Sequence, residues 1–124
     1  MKTVLVVDDN NILCETLSEH FSSTLVDYNV ITAENGQRAI EILESHDISL
    51  VITDLAMPNV DGYDFLAYVK KHHPLMPVII MTATWSLELS ALVRKLDHIQ
   101  YLEKPFRLEE MDLKVAELLK TQEF

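Results

Sequence analysis

"SLVITD", Ser49–Asp54, is the stretch whose reading decides the fold. Leu50, Val51 and Ile52 stand in an unbroken apolar row. A strand with one wet face would alternate polar and apolar residues, so an unbroken row reads as a strand covered on both faces, the situation of a parallel sheet. The strand then ends in a carboxylate, Asp54, and Pro58 follows four residues later. An unpaired charge at a buried strand tip is costly. Asp54 therefore either caps a turn or serves a site.

Working outward, the pattern repeats. "TVLVVD" (Thr3–Asp8) and "PVIIMT" (Pro77–Thr82) are further short apolar runs; "YNVITA" (Tyr28–Ala33) alternates more, and "IQYLEKP" (Ile99–Pro105) is a short alternating strand stopped by proline. Between the strands lie helical patterns. Asn10 or Asn11 caps a helix carrying Leu13, Leu17 and Phe21, and Gly36 opens one carrying Ala39, Ile42 and Leu43. A third, after Asp61-Gly62, carries Phe65, Leu66 and Val69, and a fourth Leu89, Leu92, Val93 and Leu96. The last shows Leu108, Met111, Val115, Leu118 and Leu119 on one stripe. Five strand-helix units in succession predict an α/β fold, a parallel sheet with helices on both faces and right-handed crossovers. No repeat, low-complexity tract or linker interrupts the units, so a single domain over residues 1–124 is expected, with "TQEF" leaving no room for a second.

Composition narrows the function. The 124 residues are 48% apolar with 2 Gly and 4 Pro, as in a compact chain. No apolar run approaches the roughly 20 residues of a membrane span, and "MKTVLVVDDN" lacks the pattern of a signal peptide. Cys14 is the only cysteine, which excludes an internal disulfide and fits a cytoplasmic location. The net charge of −10 argues against direct nucleic-acid binding.

The polar residues at the strand ends carry the chemistry. Asp8 and Asp9 follow the first strand, Asp54 ends the third, Thr82 ends the fourth and Lys104 follows the fifth. In an open α/β sheet these positions share the carboxyl edge, where ligands bind. Each alone has a bland reading as a turn or cap residue; their convergence points to a site. Close carboxylates repel, and a cation relieves that repulsion. Oxygen ligands without paired His or Cys favour Mg²⁺ over zinc or copper. Lys104 suits one phosphoryl oxygen and the Thr82 hydroxyl another. Asp54, central in the crevice, is thus the candidate phosphoryl-accepting nucleophile.

"VLVVDDN", "VITDLAMPNVDG", "VIIMTA" and "YLEKPF", in this order and spacing, resemble the receiver domain of two-component response regulators, over Lys2 to about Leu119. The resemblance implies a (βα)5 doubly wound, flavodoxin-like sheet with strand order 2-1-3-4-5. It implies Asp54 as phosphoacceptor and as a Mg²⁺ ligand, Asp9 as a direct Mg²⁺ ligand, Asp8 as a ligand through water and the backbone carbonyl of Ala56 completing the set. Thr82 and Tyr101 match the switch pair. Lys104 matches the phosphate-contacting lysine, with a cis bond to Pro105. Met57-Pro58 and Asp61-Gly62 match the loop after the phosphoacceptor, with Gly62 easing the start of the third helix. The implied function is a signalling switch and not a turnover enzyme. It would take a phosphoryl group from a histidine kinase or a histidine phosphotransfer protein, assist its own phosphorylation and hydrolysis, and signal to a downstream protein or output domain through helix four, strand five and helix five. Homodimerisation on phosphorylation is a further expectation of the same origin.

The sequence departs from that pattern in places. Asp97 and His98 stand where the family usually has Gly-Ala, and Asp97 is the residue expected to tolerate a left-handed turn. Trp85 follows the switch hydroxyl, as a partner contact or as packing. Ala56 and Thr84, two residues beyond Asp54 and Thr82, should govern water access, and the small Ala56 leans towards fast hydrolysis. The five histidines are read as surface residues and Cys14 as structural. Rival functions fare worse. An aspartyl-nucleophile phosphatase of the haloacid-dehalogenase type needs a second acid where Ala56 stands, and a flavin module needs a Ser/Thr/Gly-rich loop where "DDNN" stands. A degenerate receiver that only docks would not need the intact set of Asp8, Asp9, Asp54, Thr82 and Lys104.

Overall fold

A computed structural model describes residues 2–55, 62–83, 86–96 and 98–121 of the chain. The strands are β1 (Lys2–Val7), β2 (Tyr28–Ala33), β3 (Leu50–Asp54), β4 (Val78–Thr82) and β5 (Ile99–Glu103). The helices are α1 (Asn11–Thr24), α2 (Gly36–Ser45), α3 (Gly62–His72), α4 (Leu87–Lys95) and α5 (Leu108–Thr121). All strand pairs are parallel, in the order β2-β1-β3-β4-β5, as the resemblance implied. Strand edges differ by a residue from the sequence reading: Asp8 lies just past β1, and Ser49 and Pro77 just before β3 and β4.

The continuous apolar runs have the reason expected of them. Every residue of β3 and β4 is buried. Successive side chains point to opposite faces. Leu5, Val7, Val51, Val78 and Ile80 join one layer with residues of α2, α3 and α4. Val4, Val6, Leu50, Ile52, Ile79 and Met81 join the other with α1 and α5. Each fully buried Leu or Ile contributes roughly 1.5–3 kcal/mol against solvent exposure. The edge strand β2 is only partly covered, which is why its sequence alternates.

The loops at the carboxyl edge are held by local chemistry. Asn10 caps α1, its side chain accepting hydrogen bonds from the backbone N–H groups of Ile12 and Leu13 at 3.0 and 3.2 Å. Asn35 caps α2, and Ser86 caps α4 through the Leu89 N–H. Gly62 opens α3, where its N–H donates to the Leu55 carbonyl at 3.2 Å. A Cβ at this position would fall on the Leu55 backbone, so only glycine fits. The start of α3 is thereby pinned to the residue following Asp54. The Lys104–Pro105 bond is cis, as expected.

The turn before β5 holds a correction. His98, not foreseen in this role, has a left-handed backbone at φ 65° and is half-buried, while Asp97 lies outside the described residues. The His98 carbonyl accepts from the Val78 N–H at 2.9 Å, and that bond starts the β4–β5 pairing. The histidines are also less uniformly superficial than expected. His20 is half-buried, with Nε2 2.8 and 3.0 Å from the two carboxylate oxygens of Asp112, a hydrogen-bonded contact joining α1 to α5.

Gly62→Ala tests the close approach. The added methyl forces the Leu55 backbone to move, at an expected cost of about 1–3 kcal/mol. The check is a urea denaturation series, where the midpoint falls and the slope is unchanged.

Candidate phosphoacceptor site

Two neighbouring strand ends at the carboxyl edge, those of β1 and β3, bring the acids together. Asp8 is fully buried, Asp54 is buried and Asp9 is exposed. An oxygen of each lies within 4.8 Å of the others. Lys104, following β5, reaches across the edge. Its Nζ donates to Asp8 Oδ2 at 2.6 Å and to Asp54 Oδ2 at 2.9 Å. Burial of the ammonium pulls the Lys104 pKa down, but the hydrogen bonds to Asp8 and Asp54 and their charges outweigh it, and the net displacement is upward. Lys104 is therefore a firm cation near neutral pH.

Further contacts fix these groups. The second Asp8 oxygen accepts from the Asn10 N–H at 2.9 Å, so both oxygens have partners. The Asp8 carbonyl accepts from Cys14 Sγ at 3.4 Å. Thr53 Oγ1 donates to the Asp54 carbonyl at 2.9 Å. The Lys104 N–H donates to the Thr82 carbonyl at 2.7 Å, which ties the loop after β5 to the end of β4. Asn10, Thr53 and Cys14 were not read as parts of the site. For Asn10 a signal existed, since an acid two residues before a helix cap is set to close an Asx turn. Nothing in the sequence foretold the thiol or the Thr53 contact.

Thr82 is buried one register step beyond Asp54, whose β4 partner is Met81. Tyr101 pairs with Ile80 and is 39% exposed. Asp8, Asp9, Asp54 and Lys104 are thus brought together, with Thr82 at the adjoining strand end. Ala56, Met57, Pro58, Asp61, Thr84 and Trp85 lie outside the described residues. Three carboxylates against one ammonium leave a formal charge of −2, and among the described residues this is the one group of acidic, His or Cys side chains close enough to share an ion. Its donors are all carboxylate oxygens, a set that suits a hard divalent cation such as Mg²⁺.

The family profile described as response regulator receiver domain matches residues 4–116. The chain belongs to that family. This receiver domain is 32% identical over 117 residues to the probable transcriptional regulator ycf27 of Cyanidium caldarium, covering 94% of this chain and 46% of that protein. It superposes on the signal receiver domain of an HD domain-containing protein from Pseudomonas fluorescens Pf-5 with a TM-score of 0.88 at 27% identity, covering 98% and 97% of the two chains. The response regulator protein TrrA from Thermotoga maritima, solved in complex with Mg(2+)-BeF, gives a TM-score of 0.82 at 31% identity, covering 95% and 99%. The chain spans half the length or less of the curated relatives compared, from 22% to 50%. The strand order and the flavodoxin-like topology agree with the receiver fold. Among the described residues no helix is long and apolar enough to cross a membrane.

Cys14 yields a prediction of reactivity. Burial raises its pKa from the ordinary 9.0 to about 11, and the charge of Asp8 adds to the effect. At pH 8 the thiolate fraction is therefore about a hundredfold smaller than in the unfolded chain. Alkylation by iodoacetamide, followed by mass spectrometry, is expected to slow by at least that factor in the native protein relative to the protein in urea.

Proposed function

We propose that this receiver domain takes a phosphoryl group onto Asp54 from a phosphohistidine and thereby switches its partner surface. The observation that carries the reading is the grouping of three carboxylates within 4.8 Å around an ammonium bonded to two of them. One Asp54 oxygen attacks phosphorus, the bond from phosphorus to the donor imidazole breaks, and the imidazole leaves with its electron pair to be protonated. Lys104, already at Asp54, lends its charge to a phosphoryl oxygen. The Thr82 hydroxyl, at the adjoining strand end, donates to another. Mg²⁺ would be held by Asp9 directly, by Asp54, by Asp8 through water and by the Ala56 carbonyl, a set of hard oxygen donors. When bound, the ion offsets negative charge on the transferring group.

The acyl phosphate then biases Thr82 and Tyr101 inward. A ring that is 39% exposed has surface to bury when it moves, and Lys104 is joined through its backbone to Thr82. The change shifts the populations of two arrangements of the α4, β5 and α5 surface. Partners on this reading are a histidine kinase or a histidine phosphotransfer protein upstream and a protein or output domain downstream, in the cytoplasm, with homodimerisation as one mode of output. Self-dephosphorylation, eased by the small Ala56, resets the switch.

Intact mass after incubation with Mg²⁺ and a small phosphodonor tests the central claim. One phosphoryl group is expected on the native chain and none on Asp54→Asn or without Mg²⁺; equal gain in the variant removes Asp54 from the mechanism. Mg²⁺ alone should also raise the thermal midpoint. At a hundredfold excess over its dissociation constant the gain is about 2.7 kcal/mol. EDTA reverses it and Asp9→Asn weakens it, as followed by scanning calorimetry.

A further inference from the structure

Opposite the acidic edge, bases gather at the carboxyl ends of two neighbouring helices. α3 ends with Lys70, Lys71 and His72 in its last turn, and α4 with Arg94 and Lys95. The last turns of α1 and α2 carry no basic residue. The two helices lie on the same face of the sheet and follow neighbouring parallel strands, so their carboxyl ends fall side by side at the amino edge. Lys71, His72, Arg94 and Lys95 are exposed, in a chain whose net charge is −10.

Between the same two helices runs an apolar cleft of about 320 Å³, lined by Tyr63, Leu66, Ala67 and Lys70 of α3 and by Leu92 and Leu96. Lys70 supplies its stem to the cleft, while its ammonium donates to the Met76 carbonyl at 2.9 Å. Cations at a helix carboxyl end are favoured by the macrodipole, which accounts for either pair taken alone. It does not account for an apolar trough left open to solvent between them. An open apolar trough with a charged end is the form of a helix-binding groove, in which residues spaced i, i+3/i+4 and i+7 supply the anchors.

We infer that the α3–α4 groove docks an amphipathic, acidic helix of a partner protein, with its apolar side chains in the cleft and its carboxylates against Lys71, Arg94 and Lys95. The occupant follows from charge complementarity. A partner helix with Asp or Glu in its first turn sets those acids, and the positive end of its own dipole, against the negative carboxyl ends of α3 and α4. The cleft is recessed between the two helices, which favours an inserted side-chain row over a flat anionic bilayer. The inference is independent of phosphoryl transfer, since none of its residues belongs to the Asp54 site.

The probe is a fluorescent helical peptide with an acidic first turn and leucines at i, i+3 and i+7, alongside a version with Lys replacing the acids. Binding is read by anisotropy and located by amide NMR shifts. The acidic peptide is expected to bind in a salt-dependent manner and to shift Ala67, Lys70, Leu92 and Leu96. Combined Lys71→Glu, Arg94→Glu and Lys95→Glu, all at exposed positions, should weaken it about tenfold or more. Ala67→Arg, which fills the trough without touching the rim, should abolish it. Unchanged thermal midpoints serve as the fold control for both variants. The proposal is overturned if no groove signal moves at up to about 1 mM peptide, or if the triple variant or the Lys version binds as well. It is also overturned if phosphatidylglycerol vesicles bind the native protein and the peptide does not.

Discussion

One ammonium holds the functional edge together. Lys104 bonds Asp8 and Asp54, residues that lie 96 and 50 positions earlier in the chain. Two buried carboxylates side by side would repel at a site poor in water, and removing their shared cation would leave both without compensation. The contact therefore demands that β1, β3 and β5 be in register at once. The strand order meets that demand by placing β1 beside β3 and spanning to β5 across a single strand. The Lys104 backbone bond to Thr82 fixes the base of the long side chain, so its reach is spent across the edge and not along it.

The rest of the molecule keeps that edge rigid. Two apolar layers cover β3 and β4 completely, and such cores resist graded deformation. A change at Asp54 has few soft directions in which to dissipate. The loops are correspondingly braced, by Asn10 on Asp8, by Thr53 on the Asp54 backbone and by Gly62 against Leu55. Three acids meet where β1 and β3 end, and bases gather where α3 and α4 end.

The fold was legible because burial on both faces writes itself into the sequence. Runs such as Leu50-Val51-Ile52 admit few readings, and three of them with two alternating strands, all separated by helical stripes, leave little freedom in topology. The site was legible as a set of strand-end residues because a parallel sheet sends every strand end of one sense to one edge. What escaped were features that depend on another part of the chain. Nothing local to His20 announces Asp112, and nothing in Cys14 announces the Asp8 carbonyl. The left-handed backbone at His98, whose carbonyl opens the β4–β5 pairing, was not foreseen from the side chain itself; Asp97, where such a turn was expected, lies outside the described residues. The cleft between α3 and α4 was invisible for the same reason, since its walls come from separate helices.

β5 has a neighbour on one side only. Among the described residues its outer backbone groups face no strand, and its burial alternates where β3 and β4 are sealed. A strand held by a single ladder can tilt, twist or exchange a side chain between its faces without breaking a second row of hydrogen bonds. Tyr101 sits on this singly paired strand, and Lys104 follows directly after it. The sheet thus has a stiff middle and two pliable margins, β2 and β5, and the inward motion proposed for Tyr101 belongs to the second of them. A rearrangement there can be large in shape and still small in free energy, which is the condition for a switch that one covalent phosphate can throw and one hydrolysis can reset.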